Sequence, residues 1–188
     1  MNPYVLLAKL TVETFIKERR IIKPPDDLLE EFLKRKAGTF VTIKKNGNLQ
    51  GCIGTYLPLR QNIAQEIISN AIAAATEDYR FGPIKEEELP HFSYTVYILN
   101  EPELVEAIKK ELDPKKYGII VKTVPITTAN GIDVVFNGHF VSKTGLLLPD
   151  LEGIDTIEKQ ISIACQKGRI NPQKEKILIY KFTVEKYQ

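Results

Sequence analysis

Apolar positions near the start of the chain recur at helical spacing: Val5, Ala8, Val12, Phe15 and Ile16 predict an amphipathic helix ending before Pro24-Pro25. Asp26-Asp27 then supply a cap for a short second helix carrying Leu28, Leu29, Phe32 and Leu33. From there the period switches to two. Phe40-Val41-Thr42-Ile43 and Leu49 to Ile53 flank Asn46-Gly47 and predict a β-hairpin over 39–55, because both central residues of a type I′ turn need positive φ. Counted from that turn, Cys52 is expected opposite Val41, on the face that also carries Ile43. After Pro58 the helical period returns, with Ile63, Ile67, Ala71 and Ala74 on one face and Ala64, Ile68, Ile72 and Ala75 beside it. A stripe that wide predicts burial against a sheet.

Downstream, Phe92 to Leu99 alternates like a strand, Glu103 to Leu112 reads as a helix, and Tyr117 to Thr123 as a strand. Ile132 to Phe136 and His139 to Ser142 flank Asn137-Gly138, a second hairpin signal. Asp155-Thr156-Ile157-Glu158 resembles a capping box opening a helix through Ile161, Ala164 and Cys165, with Gly168 as its stop. Ile177 to Val184 closes the pattern as a strand. Two hairpins with non-alternating helices predict an α+β fold: a mixed or antiparallel sheet with packed helices. The 188 residues suit one domain, with a smaller lobe expected at about 100–130, where Pro102, Pro114 and Pro125 punctuate the chain.

Composition narrows the function classes. A net charge of +2 without a basic stripe gives no electrostatic footprint for nucleic acid. Cys52 and Cys165 fit neither a zinc clip nor a CxxC redox pair. Lys9 and Glu13 break the early apolar run, so it is no secretory signal, and no run approaches a membrane span; a cytoplasmic protein is expected. Abundant Ile, Lys and Glu with one Met and no Trp give a thermophile-like composition. No phosphate-binding loop, dinucleotide fingerprint or G-x-S-x-G elbow occurs, which argues against ATPase, Rossmann oxidoreductase and serine-hydrolase classes.

The candidate chemistry centres on Gln50-Gly51-Cys52-Ile53-Gly54-Thr55. Glycine packs nothing inside a strand, so two around one thiol indicate that another backbone or a ligand comes close. Cys52 is either a small buried hydrophobe or a nucleophile, and the second needs a helix N-terminus, a His or a cation, for which Arg80, His91 and His139 are the candidates. Gly51 and Gly54 either admit the 60–76 helix or, with Thr55, offer backbone donors to an anion or carbonyl. Arg80 either pairs with Asp78 or grips a ligand's carboxylate or phosphate. Glu88 is either a first-turn helix charge or an acid–base group. His91 and His139 form no linear metal motif, and Cys165 lies on an apolar stripe.

Leu49-Gln50-Gly51-Cys52-Ile53-Gly54, Asp78-Tyr79-Arg80-Phe81-Gly82-Pro83, Glu87-Glu88-Leu89-Pro90, Tyr117-Gly118-Ile119, Leu147-Leu148-Pro149-Asp150 and Cys165-Gln166-Lys167-Gly168 occur in the order of a known set. Together they resemble the AMMECR-domain family, named for the Alport, midface-hypoplasia and elliptocytosis chromosomal region. Gln50 departs from the signature, which has arginine there. The resemblance implies two unequal lobes with the cysteine motif lining a cleft between them. It also implies an enzyme-like protein without an assigned reaction or cofactor, with a small molecule, nucleobase or RNA as its expected ligand. Gln50, Gly51, Gly54, Thr55 and Arg80 are the expected binding residues, and Cys52 and Glu88 the expected catalytic ones. A functional link to Memo-type and radical-SAM proteins is implied in the same way, and a non-catalytic binding module using the same cleft is the alternative.

Overall fold

The computed structural model describes residues 1–25, 30–124, 135–136, 139–140 and 142–188. Its elements, in order, are α1 (Pro3–Glu18), α2 (Glu30–Lys34), β1 (Thr39–Lys45), β2 (Asn48–Gly54), α3 (Ile63–Thr76), a 3-10 helix (Glu86–His91), β3 (Phe92–Leu99), β4 (Glu103–Leu104), α4 (Ile108–Glu111), β5 (Gly118–Thr123), β6 (Val135–Phe136), β7 (His139–Phe140), β8 (Thr144–Leu147), α5 (Ile157–Lys167), β9 (Ile177–Phe182) and β10 (Val184–Tyr187). They form an α+β fold divided into two compact units, Met1–Asn100 with Glu185–Gln188, and Glu101–Val184.

The first unit is a four-stranded sheet in the order β10-β3-β1-β2, with β1 antiparallel to both neighbours. Inward-facing Val41, Ile43, Val96 and Ile98 meet Val5, Ala8 and Val12 of α1 and Ile63, Ile67 and Ala71 of α3, all buried in one apolar core. Fully burying an aliphatic side chain of this size contributes about 1.5–3 kcal/mol. The helices start where the sequence supplies caps: Asn2 Oδ1 accepts from Tyr4 N at 3.0 Å, and Asn62 Oδ1 from Gln65 N at 3.0 Å.

The hairpin turn forms at Asn46-Gly47, with φ of 49° and 86°, as its chemistry demands. Its register departs from expectation. Ile43 pairs with Gly51 but Lys44 pairs with Leu49, so Gln50 is a β-bulge residue without a partner on β1. The extra residue advances everything beyond it by one place, and Cys52 lies opposite Thr42 instead of Val41. Counting from the turn assumed an unbroken ladder, and a slip of one residue exchanges the two faces. Gly51 and Ile53 therefore face α3, while Cys52 and Gly54 face away from it.

The second unit is a four-stranded sheet in the order β4-β9-β5-β8, with each neighbouring pair antiparallel, and a separate antiparallel β6-β7 pair. Its core joins Ile119, Val121, Leu147 and Ile179 to Ala164 and Cys165 of α5. A Cβ on Gly145 would overlap the Ala164 carbonyl oxygen, so α5 lies directly on the β8 backbone.

Three further expectations change. The helix expected over Glu103 to Leu112 is only α4, because Glu103 and Leu104 pair with Lys181 and Tyr180 as β4. The Glu111 carboxylate also takes the N–H groups of Glu106 and Ala107, which caps the helix late. The cap of α5 is Thr156, accepting from Lys159 N, while Asp155 pairs instead with Lys115 at 2.8 Å. The closing strand expected over Ile177 to Val184 is two strands, β9 and β10, which enter different sheets on either side of Thr183. The second helix is present as α2, but its expected cap, Asp26-Asp27, with Leu28 and Leu29 lies outside the described residues, as do 132–134, 137–138 and 141 of the second hairpin.

Candidate functional site

The bulge decides what surrounds the thiol. On the face turned away from α3, Cys52, Thr42 and Thr95 form one cross-strand row, and Phe40 and Tyr97 pair in the next. Thr42 Oγ1 donates to Cys52 Sγ at 3.2 Å, and the cysteine is partly exposed and not in a disulfide.

β2 lies at the end of its sheet, so the backbone of Cys52 points outward to partners beyond the ladder. Cys52 N donates to Asp78 Oδ2 at 2.9 Å, and Arg80 Nη2 approaches the Cys52 carbonyl oxygen at 3.4 Å. Asp78 and Arg80 are themselves joined as a fork, Nε to Oδ1 at 2.9 Å and Nη2 to Oδ2 at 2.7 Å. The Asp78 side chain is 3% exposed and that of Arg80 is 44%. Hydrogen bonding from Arg80, helped by Cys52 N–H and opposed by burial, holds the Asp78 carboxyl down at about 2. The same contact raises Arg80. The Arg80 guanidinium also stands 5.4 Å from the Phe81 ring centroid, beside the 93% exposed Tyr79.

The two glycines have separate reasons. A Cβ on Gly51 would overlap the Ala74 carbonyl oxygen, so α3 rests on the β2 backbone there; one on Gly54 would overlap the Phe40 ring and the Thr39 carbonyl. Thr55 is committed as well: its hydroxyl donates to Glu66 Oε1 at 2.6 Å and its N–H to Thr39 O at 2.9 Å. Gln50 is the half-buried bulge residue.

Glu88 lies in the 3-10 helix, with Oε1 on Lys45 Nζ at 2.7 Å and Oε2 accepting from Lys85 N at 2.9 Å. Lys45, first among these contacts, lowers its pKa. Lys45 is three residues along β1 from Thr42, roughly 10 Å at strand rise, so Glu88 anchors the turn end of the hairpin. There the His91 carbonyl also accepts from Asn46 N at 3.2 Å. The side chain of His139 lies outside the described residues. Cys165 is core, its thiol pushed up by burial. Among the described residues, no group of three or more His, Cys, Asp or Glu is placed to hold a metal ion, and no helix is long and apolar enough to cross a membrane.

Sequence reasoning missed Glu66. It is 1% exposed on α3, and besides Thr55 it takes the N–H groups of Leu59 and Arg60 at 2.9 and 2.8 Å, fixing the loop after β2. Asn70, one turn later, donates to the Thr39 carbonyl and hydroxyl at 3.0 and 2.9 Å. The available signal was two polar residues at i and i+4 inside a stripe otherwise apolar enough to be buried.

The two motifs that meet at this site, around Cys52 and around Asp78-Arg80, lie within a family match spanning almost the whole chain. The family model described as AMMECR1 covers residues 5–187. A protein of Thermotoga maritima is 45% identical over 188 residues, covering 100% of this chain and 98% of its own length. Protein CA_C1420 of Clostridium acetobutylicum is 40% identical over 99% of this chain, which spans only 35% of that longer protein. Among solved structures, the uncharacterized protein PH0010 from Pyrococcus horikoshii superposes with a TM-score of 0.78 at 31% identity, over 97% of this chain and 88% of that one. By sequence along its length and by fold, the chain belongs to the AMMECR1 family.

Proposed function

We propose that the protein is a ligand-binding module whose site is the face of the first sheet bearing Cys52, together with Arg80, Gln50 and the edge at Gly54. The observation that carries this reading is the state of Arg80. Asp78 fixes its Nε and Nη2 in a fork, while nearly half of the side chain stays exposed, so a pre-oriented cation is offered to an anionic or carbonyl group. Gly51 and Thr55 support the wall from behind rather than touching a ligand, since α3 and Glu66 occupy them. Both Glu88 oxygens are engaged by lysines 45 and 85, which leaves that carboxylate as an anchor instead of an acid or base at the thiol.

One observation favours a second reading, an enzyme that modifies a small molecule, nucleobase or RNA element with Cys52 as nucleophile. The Thr42 hydroxyl donates to the sulfur at 3.2 Å, and the Arg80 guanidinium stands 3.4 Å from the carbonyl oxygen of the same residue, so a donor and a cation of the kind a nucleophilic thiol needs are close by. The Asp78 carboxylate, which accepts from Cys52 N at 2.9 Å, is a negative charge beside the same residue and counts against this second reading. A thermal-shift screen of metabolites and RNA fragments, with mass spectrometry of each hit after incubation, separates the two. The module reading expects a shift without turnover, kept in Cys52→Ser and weakened in Arg80→Lys, which keeps the charge but loses the fork. Turnover abolished in Cys52→Ser would establish the enzyme. Ligands that bind equally well to Arg80→Lys would remove the site. A link to Memo-type and radical-SAM proteins rests on the family resemblance, and co-purification with such proteins tests it.

A further inference from the structure

The chain passes between its two units twice, leaving the first at Asn100 and returning to it at Glu185. One side chain touches both passages. Arg35, just beyond α2, donates through Nη2 to Glu185 Oε1 at 2.5 Å and to Asn100 Oδ1 at 3.3 Å, while Nη1 reaches Glu31 Oε1 at 3.2 Å. We propose that Arg35 is a positioning residue that locks the exit and the return of the chain together, so that both passages loosen when it is removed.

The surroundings fit a lock rather than a chance surface ion pair. Arg35 is anchored from behind: its carbonyl accepts Ile63 N at 3.0 Å at the start of α3, and Glu31 holds its other nitrogen one turn back on α2. On the exit side, Leu99 N donates to Gly38 O at 2.9 Å, so the segment after Arg35 also borders the end of β3. On the return side, Glu185 accepts from Tyr187 Oη at 2.7 Å through its second oxygen. The Tyr187 ring lies 4.6 Å from Tyr4, which stacks on Phe32 of α2 at 4.0 Å. The guanidinium therefore closes a cluster that reaches α1, α2, β10 and the end of β3. Arg35 in turn lowers the pKa of Glu185 and is raised by it, as a retained contact requires. A fork that satisfies three acceptors at once loses less side-chain freedom per bond than three separate pairs.

Hydrogen exchange read by mass spectrometry on the whole chain tests the coupling. In Arg35→Gln, amides 99–103 and 183–187 are expected to exchange roughly tenfold faster, the order for losing a charge-assisted hydrogen bond, while β1, β2 and α5 keep their protection. Glu185→Gln is the decisive and milder variant, also usable if Arg35→Gln fails to fold. It removes nothing from Asn100, yet the lock expects exchange at 99–103 to rise as well. Faster exchange confined to 183–187 in Glu185→Gln, a uniform rise over the chain in either variant, or no change at all would overturn the lock.

Discussion

Asp78 is the residue on which the candidate site turns. Its value of about 2 lies below the ordinary 3.8, so its stabilisation is in place above about pH 4 and is lost as pH falls through about 2. The shift corresponds to on the order of 2 kcal/mol. Asp78→Asn should show this loss already at pH 7 and lack that part of the acid sensitivity, read from urea unfolding at pH 7, 4 and 2.5; identical pH profiles for the two proteins would refute the assignment. The glycines make a second contrast. Gly51→Ala drives a methyl into the fixed Ala74 carbonyl and should cost about 3 kcal/mol, at the upper end of overpacking penalties. Gly82→Ala meets nothing within 4 Å at an ordinary φ and should be neutral or stabilise by about 0.4–1 kcal/mol. The Asp78–Arg80 contact was legible as one of two options, since the residues are two apart; that the pair reaches the Cys52 backbone was not, because Cys52 and Asp78 are 26 positions apart.

Among the elements, α3 carries most of the site's rigidity. Glu66→Gln is nearly isosteric, but its amide nitrogen would turn donors toward Leu59 N–H or the Thr55 hydroxyl. A loss of about 2–3 kcal/mol is expected, with faster amide exchange at 55–62; unchanged exchange there would show that the carboxylate does not hold the loop. Most elements could be read in advance because their signals are local: Asn46-Gly47 for the hairpin, the wide stripe for α3, the alternation of Phe92 to Leu99 for β3. Departures arose where a distant partner decides. The bulge at Gln50 puts Gly51 instead of Gln50 opposite Ile43, where only a glycine fits against the Ala74 carbonyl, and period-two counting along β2 cannot detect that. β4 exists because Lys181 and Tyr180 pair with Glu103 and Leu104, nearly eighty residues away. The break at Thr183 divides what reads as one strand, since neither alternation nor propensity marks a change of sheet.

At the scale of the whole molecule, the chain holds two cores, one built on α1 and α3 and the other on α5. Gly145→Ala places a methyl against the Ala164 carbonyl of α5 and should raise amide exchange across Glu101–Val184 while β1 to β3 stay protected. An equal rise in both units would mean that the two cores unfold as one. The sequence suggested a smaller lobe at about 100–130 but gave no sign that the chain rejoins the first unit only at Glu185, because no linker-like composition marks that passage.

The strand β10 has a consequence for how the protein is made. Synthesis delivers residues 1–100 first, yet their sheet is completed only by Glu185–Gln188, after the whole of 101–184. At ribosomal rates of about 5–20 residues per second, the nascent first unit waits roughly 4 to 17 s with the outer margin of β3 unfilled. During that interval the margin is open to strands from neighbouring nascent chains, and Tyr4, stacked on Phe32, lacks the ring of Tyr187.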